Sequence, residues 1–194
     1  HRAGPHWQLA CAEQGLLDTR FDAVLLALPA QAANVQPSAT QVTIDALARA
    51  NASVVGIRVT VAEGARSAET LGQRRSGSGV LIASDGLILT IGYLLLEAEQ
   101  IEIVTQDNKT LPARAVAYDL ATGFGLLRPL LPLRASSNVS VAVLGSSQSA
   151  PPGESLMAVT GPQPNDDGDV NMTRLISKRA FSGSWEYHIE GALF

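Results

Sequence analysis

The sequence predicts an all-β fold, because short segments rich in β-branched residues follow one another with turn signals between them. The clearest strand covers residues 53–61, SVVGIRVTV, in which valine, isoleucine and threonine dominate. A second observation is the Asp-Gly pair at 85–86, a hairpin signal between the apolar segments 78–82 and 87–90. A third is the alternation of residues 100–105, QIEIVT, typical of a strand with one buried face. Together they indicate a barrel or a sandwich.

Composition excludes several functional classes. Hydrophobic residues make up 46% of the 194-residue chain and charged residues 16%, and the formal net charge is −4. The densest basic run, residues 73–75, is expected to be a solvated loop or strand edge, so no nucleic-acid partner is predicted. The single cysteine, Cys11, excludes an internal disulfide and a thiolate zinc cluster, and we predict no cofactor and no metal. No apolar run reaches the roughly 18 residues of a membrane span.

Residues 1–42 are interpreted as an N-terminal extension and linker. Residues 6–11 fit a short strand, and residues 21–29, FDAVLLALP, fit a buried strand closed by proline, so the two could form a hairpin. The run 23–33 also resembles a secretory leader in its length and small-residue ending, and both readings stay open. Residues 34–43 contain proline, serine and threonine and are expected to be a linker.

A first folded unit is predicted over residues 43–130. It begins with a short helix over residues 43–50, which Thr43 or Asp45 is expected to cap. The predicted strands then continue through residues 110–118, and a further short strand covers residues 123–127.

The stretch 77–90, GSGVLIASDGLILT, resembles a conserved stretch of trypsin-like, HtrA-type serine proteases almost word for word. In that family the catalytic histidine stands three residues after the final threonine. In this chain Tyr93 occupies that slot. Residues 107–116 resemble the family's next strand and turn, and residues 119–127, DLATGFGLL, resemble the segment that carries the catalytic aspartate. Gly123 occupies the aspartate slot, and Asp119 matches an earlier, non-catalytic aspartate.

Residues 131–194 resemble the start of the family's second barrel. The matching segments are 143–146, 152–161, a strand at 174–177, and a strand at 186–194 that leads toward the nucleophile loop. The sequence ends at Phe194, before a match to that loop. Over residues 44–194 the resemblance therefore implies a trypsin-like double β-barrel, with the first barrel complete over about 53–130 and the second partial.

Triad hydrolysis needs a serine, an imidazole base and an orienting carboxylate. A phenol titrates near ~10, so the side chain in the histidine slot is a poor base at neutral pH. Glycine in the aspartate slot offers no carboxylate. We therefore predict a non-catalytic protease homologue, and we interpret Ser182 and His188 as structural residues. The alternative is a fragment of a serine endopeptidase that a missing C-terminal part completes.

The resemblance also implies partners and location. A protease cleft binds peptides by adding a strand, so peptide or protein segments are the expected partners. A partial second barrel exposes an open edge, which predicts self-association. HtrA-type relatives imply a periplasmic or secreted protein, or a cytoplasmic one if residues 23–33 are a strand and not a leader.

Residues 1–34 carry a second, shorter resemblance. The words WQL and FDAVLLALPA resemble a late segment of flavin-dependent amine-oxidase-like proteins. That likeness implies a fragment of a flavin oxidoreductase as a third alternative. The glycine fingerprint of a dinucleotide site is absent from the sequence, so no flavin-binding residues are assigned.

Overall fold

The computed structural model describes residues 24–26, 39–133, 138–163, 166–183 and 188–194. It begins with a three-residue strand, β1 (Val24–Leu26), followed by helix α1 (Ala39–Ser53). The prediction of a helix over 43–50 was too short at both ends. Thr43 and Asp45 lie inside the helix, so the prediction that either one caps it is wrong. The Asp45 carboxylate instead accepts a hydrogen bond from the Gln41 amide one turn earlier.

Six strands between residues 54 and 129 close into a barrel in the order β2-β3-β4-β7-β6-β5. Their bounds are β2 (Val54–Val61), β3 (Arg74–Leu81), β4 (Ile88–Ile91), β5 (Ala98–Val104), β6 (Thr110–Asp119) and β7 (Phe124–Pro129). All six pairings are antiparallel. Two short helices interrupt the strands: α2 (Ala68–Leu71) and the 3₁₀ helix η1 (Gly92–Leu95). The all-β fold and the complete first barrel are confirmed.

The predicted hairpin between β3 and β4 forms as expected. Ile82 N–H donates to the carbonyl of Leu87 at 2.9 Å, and Gly86 N–H donates to the carbonyl of Ala83 at 3.1 Å. The Asp85 carboxylate accepts from Leu87 N–H and also pairs with Arg128 on β7. This turn sets the register in which Leu81 faces Ile88, both of them core residues.

Alternation along the strands fills the barrel interior. The β2 residues Val55, Ile57, Val59 and Val61 point inward, with exposed fractions of 2% or less. They pack with buried aliphatic residues of the other strands and of η1, chiefly Leu81, Ile88, Leu94, Ile103 and Leu127. Burying an aliphatic side chain of this size stabilises the fold by roughly 1.5–3 kcal/mol. A second cluster outside the barrel joins Val54 and Val80 to Ala50 of α1.

Residues after the barrel form two smaller sheets. β8 (Ser155–Val159) pairs with β9 (Val170–Arg174) on one side and with β1 on the other, which gives the order β1-β8-β9. β10 (Lys178–Ser182) pairs with β11 (His188–Leu193). The strand predicted at 174–177 is wrong: β9 ends at Arg174, Leu175 lies in a buried cluster, and the N–H groups of residues 176 and 177 donate to the carbonyl of Phe194 before β10 begins.

The residues that follow β7, which form the second part of the structure, contact the barrel at the glycine-serine-glycine motif of β3, residues 77–79. Ser78 is buried, and its hydroxyl accepts a hydrogen bond from Gly161 N–H at 2.9 Å. Gln163 donates its side-chain amide to the carbonyl of Gly77 at 2.7 Å. On the other side, the Thr90 hydroxyl donates to the carbonyl of Ser78 at 2.9 Å. The motif therefore links both β4 and the second part of the structure to β3 through hydrogen bonds. No helix within the described residues is long and apolar enough to cross a membrane.

Candidate functional site

The histidine slot lies in η1, directly after β4. Gly92, Leu94 and Leu95 of this 3₁₀ helix are buried, while Tyr93 is half-buried and packs against the barrel core. β4 places η1 there because it is held between β3 and β7, with Ile91 opposite Phe124. The Tyr93 side chain is therefore in contact with the core of the barrel.

The aspartate slot lies in the turn between β6 and β7. Gly123 has φ +73°, a left-handed conformation that favours glycine, and its N–H donates to the carbonyl of Asp119 at 2.8 Å. Asp119 organises the same turn, because its carboxylate accepts from Ala121 N–H at 3.1 Å and from the Thr122 hydroxyl at 2.6 Å. The Thr122 hydrogen bond, followed by the Ala121 one, lowers the pKa of Asp119 below its ordinary value.

The two slots are neighbours in space. Gly92 N–H donates to the carbonyl of Gly123 at 2.6 Å, so the residue before Tyr93 contacts the aspartate slot directly. Tyr118 closes the same place from β6. A Cβ atom added at Gly92 would lie 1.9 Å from Cε2 of the Tyr118 ring and 2.9 Å from the Gly123 oxygen. An aromatic ring and a peptide carbonyl therefore fill the space where a side chain on Gly92 would lie.

Arg75 donates hydrogen bonds to carbonyls in and just after η1. The sequence analysis predicted residues 73–75 to be solvated. That prediction is wrong for Arg75, whose exposed fraction is 4%. Its guanidinium donates to the carbonyls of Tyr93 and Leu96 at 2.9 Å each. It also donates to the Gly72 carbonyl at 3.2 Å and to the Ser67 hydroxyl at 2.7 Å. The Tyr93 carbonyl also accepts from Leu96 N–H at 3.4 Å, so Arg75 reinforces the last bond of η1 and gives a partner to the Leu96 carbonyl that follows the helix.

Glu97 completes the polar network around Arg75. Its carboxylate accepts from Ser67 N–H at 2.8 Å. The hydrogen bond from the Ser67 side chain, followed by the one from the Ser67 backbone, lowers the pKa of Glu97. Burial lowers the pKa of Arg75, while Glu97 and then Tyr93 oppose that shift. The network stabilises the conformation of the loop that carries Tyr93.

The last strand reaches the same region from the second part. His188 N–H donates to the carbonyl of Ala121 at 2.8 Å, which joins the start of β11 to the turn that contains Gly123. The exposed His188 ring lies with Nδ1 3.0 Å from the hydroxyl of Ser182, its cross-strand partner. Within the described part of the chain, no carboxylate forms an ion pair with this imidazole.

The geometry thus brings Tyr93, Gly123 and His188 to one side of the molecule, through Gly92 and Ala121. The one imidazole here contacts a serine, without an orienting carboxylate among the described residues. Such a pair lacks the third group that sets the tautomer and orientation of a catalytic base. In the sequence segments that the structure describes, no three histidine, cysteine or acidic side chains gather to hold a metal. Cys11 lies outside the described residues.

Comparison with known proteins identifies the family. A model of the trypsin-like peptidase domain matches residues 77–192, which is more than half of the chain. Serine protease HTRA1 of Xenopus laevis is 29% identical over 87 residues, covering 45% of this chain and 18% of that protein. A probable periplasmic serine endoprotease DegP-like of Pseudomonas putida strain GB-1 is 31% identical over 86 residues, covering 44% of this chain and 17% of that protein.

Solved structures agree with the fold. The HtrA-type protease AlgW, solved with a tripeptide, superposes with a TM-score of 0.57 at 21% identity, covering 70% of this chain and 40% of that one. The chain spans less than a fifth of the length of the curated relatives it matches. The flavin resemblance concerns residues 1–34, most of them outside the described residues, and these comparisons lend it no support. From its barrel, its ordered motifs and the family model, the chain belongs to the trypsin-like peptidase domain family, and the relatives and solved structures that it resembles are HtrA-type and DegP-like proteases.

Proposed function

We propose that this chain is a non-catalytic, peptide-binding member of its family. The proposal rests on the contacts that Tyr93 and Gly123 make in the positions of the catalytic histidine and aspartate. Tyr93 packs against the barrel core, and its carbonyl is held by Arg75. Gly123 offers a carbonyl in place of a carboxylate, and Gly92 N–H takes it. Both slots serve the packing of the loop, and neither presents a base or its orienting acid.

Peptide binding can persist without catalysis, because strand addition relies on backbone hydrogen bonds and on side-chain pockets. The surface that we propose for it runs from the turn at 119–123 to the start of β11, which Ala121 and His188 join. Leu120 projects from this turn with 71% of its surface exposed, which suits an apolar contact with a bound segment. The tripeptide in the AlgW structure supports a peptide as the ligand class.

A DegP-like relative described as periplasmic supports a periplasmic location for this chain, which stays a proposal together with its peptide partners. Self-association through an open strand edge is proposed as well.

A second candidate function is that of a serine endopeptidase fragment. The curated relatives are proteases, and this chain spans less than a fifth of their length. On this alternative, other parts of the protein supply the nucleophile and a base. The endopeptidase alternative differs from the non-catalytic one because it requires peptide hydrolysis, and that hydrolysis would not depend on Tyr93.

A peptide library tests the proposal. Purified chain is equilibrated with immobilised peptides, and the peptides retained are then titrated in solution against the wild type and two variants. Leu120→Lys places a charge on the proposed surface and is expected to weaken binding about tenfold, equivalent to roughly 1.4 kcal/mol. Val143→Lys is the matched control, because Val143 is 68% exposed. Val143 follows Ala142, whose N–H donates to the carbonyl of Leu81. Leu81 is the last residue of β3, at the end of the strand opposite Arg75.

Hydrogen exchange locates the contact independently of the variants. Bound peptide is expected to slow the exchange of amides in residues 119–123 and 188–193. Retention of no peptide would contradict the binding function, and equal loss of affinity in both variants would place the contact elsewhere.

A further inference from the structure

The chain contains two methionines, Met157 and Met172, and the fold places them opposite each other. They are Cα partners in the antiparallel pairing of β8 with β9. Residues that stand directly opposite in such a pairing direct their side chains to the same face of the sheet. Both thioethers of the chain therefore lie on one face of the β1-β8-β9 sheet.

The hydrogen bonds of this pairing show how closely the two methionines approach. Thr160 N–H donates to the carbonyl of Asp169 at 2.9 Å, and Leu175 N–H donates to the carbonyl of Glu154 at 2.9 Å. Every second pair along an antiparallel ladder is hydrogen-bonded, so the methionine pair is a non-hydrogen-bonded one. In such a pair the Cα atoms lie about 4.5 Å apart and the side chains are closer than in a hydrogen-bonded pair. Flexible thioethers at this spacing are within reach of each other.

The two sulfurs differ in their access to solvent. Met172 lies on β9, the last strand of its sheet among the described residues, and 65% of its surface is exposed. Met157 lies on β8, which has β1 on one side and β9 on the other, and it is half-buried. Oxidation of a sulfur side chain depends on how far the oxidant can reach it. Met172 is therefore expected to react with a dissolved oxidant before Met157.

Met157 stands next to the packed part of the same face. Val159 follows it two residues later on β8, so the two side chains lie on one side of the sheet. Val159 is fully buried, in the cluster that contains Val54 of the barrel and Ala50 of α1. A sulfoxide is polar, and burying a polar group without a partner is unfavourable. Oxidation of Met157 therefore weakens the packing of β8 against the barrel, whereas a sulfoxide at the exposed Met172 stays in water.

We propose that Met157 and Met172 form a peroxide-oxidation site that reacts in sequence: Met172 is oxidised first without loss of structure, and oxidation of Met157 then destabilises the second part of the structure. In each step the thioether sulfur attacks one oxygen of a hydroperoxide, an S–O bond forms and the O–O bond breaks. The other oxygen leaves with the electron pair of that bond and takes the proton, as water or an alcohol. Sulfur loses two electrons and the peroxide gains two. Methionine sulfoxide reductases reverse the modification.

Limited oxidation tests the order of the two reactions. The chain carries Cys11→Ser, which removes the competing thiol, and is treated with one equivalent of hydrogen peroxide. Peptide mapping by mass spectrometry then measures the sulfoxide at each methionine. We expect roughly fivefold more sulfoxide at Met172 than at Met157, because reaction follows exposure. The same treatment in concentrated urea is the control: unfolding exposes both sulfurs equally, so the ratio is expected to fall to about one.

Two leucine variants in the same background separate the roles of the two methionines. Leucine is close to methionine in volume, so both variants are expected to fold. Met157→Leu, fully oxidised at Met172, is expected to keep the urea midpoint of its reduced form. Met172→Leu, fully oxidised at Met157, is expected to unfold at lower urea than its reduced form. Treatment with two reductases, one for each sulfoxide epimer, is expected to restore that midpoint.

Equal sulfoxide at the two positions of the folded chain would overturn the proposed order, as would a ratio that urea leaves unchanged. An unfolding midpoint that does not move when Met157 is oxidised would overturn its structural role. Peptide retention at the 119–123 turn is measured separately on the unoxidised chain, so either proposal can fail while the other stands.

Discussion

Replacing Arg75 with methionine is expected to destabilise the barrel through the loop that carries Tyr93. The guanidinium makes four hydrogen bonds, three of them to main-chain carbonyls, from a side chain that is 4% exposed. Methionine keeps most of the apolar contact of the stem and removes every donor. The carbonyls of Tyr93 and Leu96 then lose their bonds from Arg75, and the Tyr93 carbonyl keeps only the long bond from Leu96 N–H.

The magnitude follows from opposing effects. A hydrogen bond to a charged donor contributes about 1.5–3 kcal/mol, so four such bonds set a generous upper limit. Burying the guanidinium carries a desolvation cost that the substitution relieves, and water reaches some of the abandoned carbonyls. We expect a net loss of about 3 kcal/mol in the free energy of unfolding, near the value for breaking a buried polar network.

Urea denaturation of three proteins measures this loss. Arg74→Met is the matched control, because Arg74 is the preceding residue of β3 and is exposed. It is expected to change the free energy of unfolding by no more than about 0.5 kcal/mol. With a slope of about 2 kcal/mol per molar urea, the Arg75 variant shifts the midpoint down by about 1.5 M. Equal effects at the two positions, or a loss under about 1 kcal/mol at Arg75, would refute the capping role.

Three further predictions concern other contacts of the barrel. Gly92→Ala is expected to cost about 2–3 kcal/mol of stability by overpacking against the ring of Tyr118, and Tyr118→Ala in that background should restore part of the loss, measured as a double-mutant cycle. Ser78→Ala leaves a buried N–H of the second part unpaired and is expected to cost about 1–3 kcal/mol in urea denaturation. The hydrogen bonds that lower the folded-state pKa of Asp119 contribute stability above its unfolded value near ~3.9, and this is lost as pH falls through the lower folded value. Thr122→Val should therefore weaken that acid dependence, and an unchanged stability profile below pH ~4 would contradict it.

Much of the barrel could be predicted from local pattern. The β-branched run 53–61 coincides with β2, residues 100–105 coincide with most of β5, and the Asp-Gly pair at 85–86 forms the turn that it indicates. The start of α1 was placed four residues too late, because residues 39–42 lack an apolar stripe. Ser38, which immediately precedes the helix in the sequence, is the start signal that could have extended it.

The sequence was enough to predict which residues occupy the triad positions, but not which residues contact them. Motif order assigned Tyr93 and Gly123 to the two slots. The hydrogen bond between Gly92 and Gly123 depends on the pairing of β4 with β7, which no local pattern specifies. Arg75 was missed for the same reason, because the carbonyls that it caps lie 18 and 21 residues further along the chain. A run of polar residues resembles a solvated edge until its tertiary partners are known.

The most direct test of the central claim is peptide cleavage by the purified chain, read by mass spectrometry over a mixed peptide library. The account predicts no product above the buffer control for the wild type and for Tyr93→Phe. Cleavage that Tyr93→Phe abolishes would make Tyr93 a catalytic residue and contradict the account. Cleavage that survives Tyr93→Phe and is lost in Ser182→Ala would contradict it as well, by placing the chemistry at the hydroxyl beside His188.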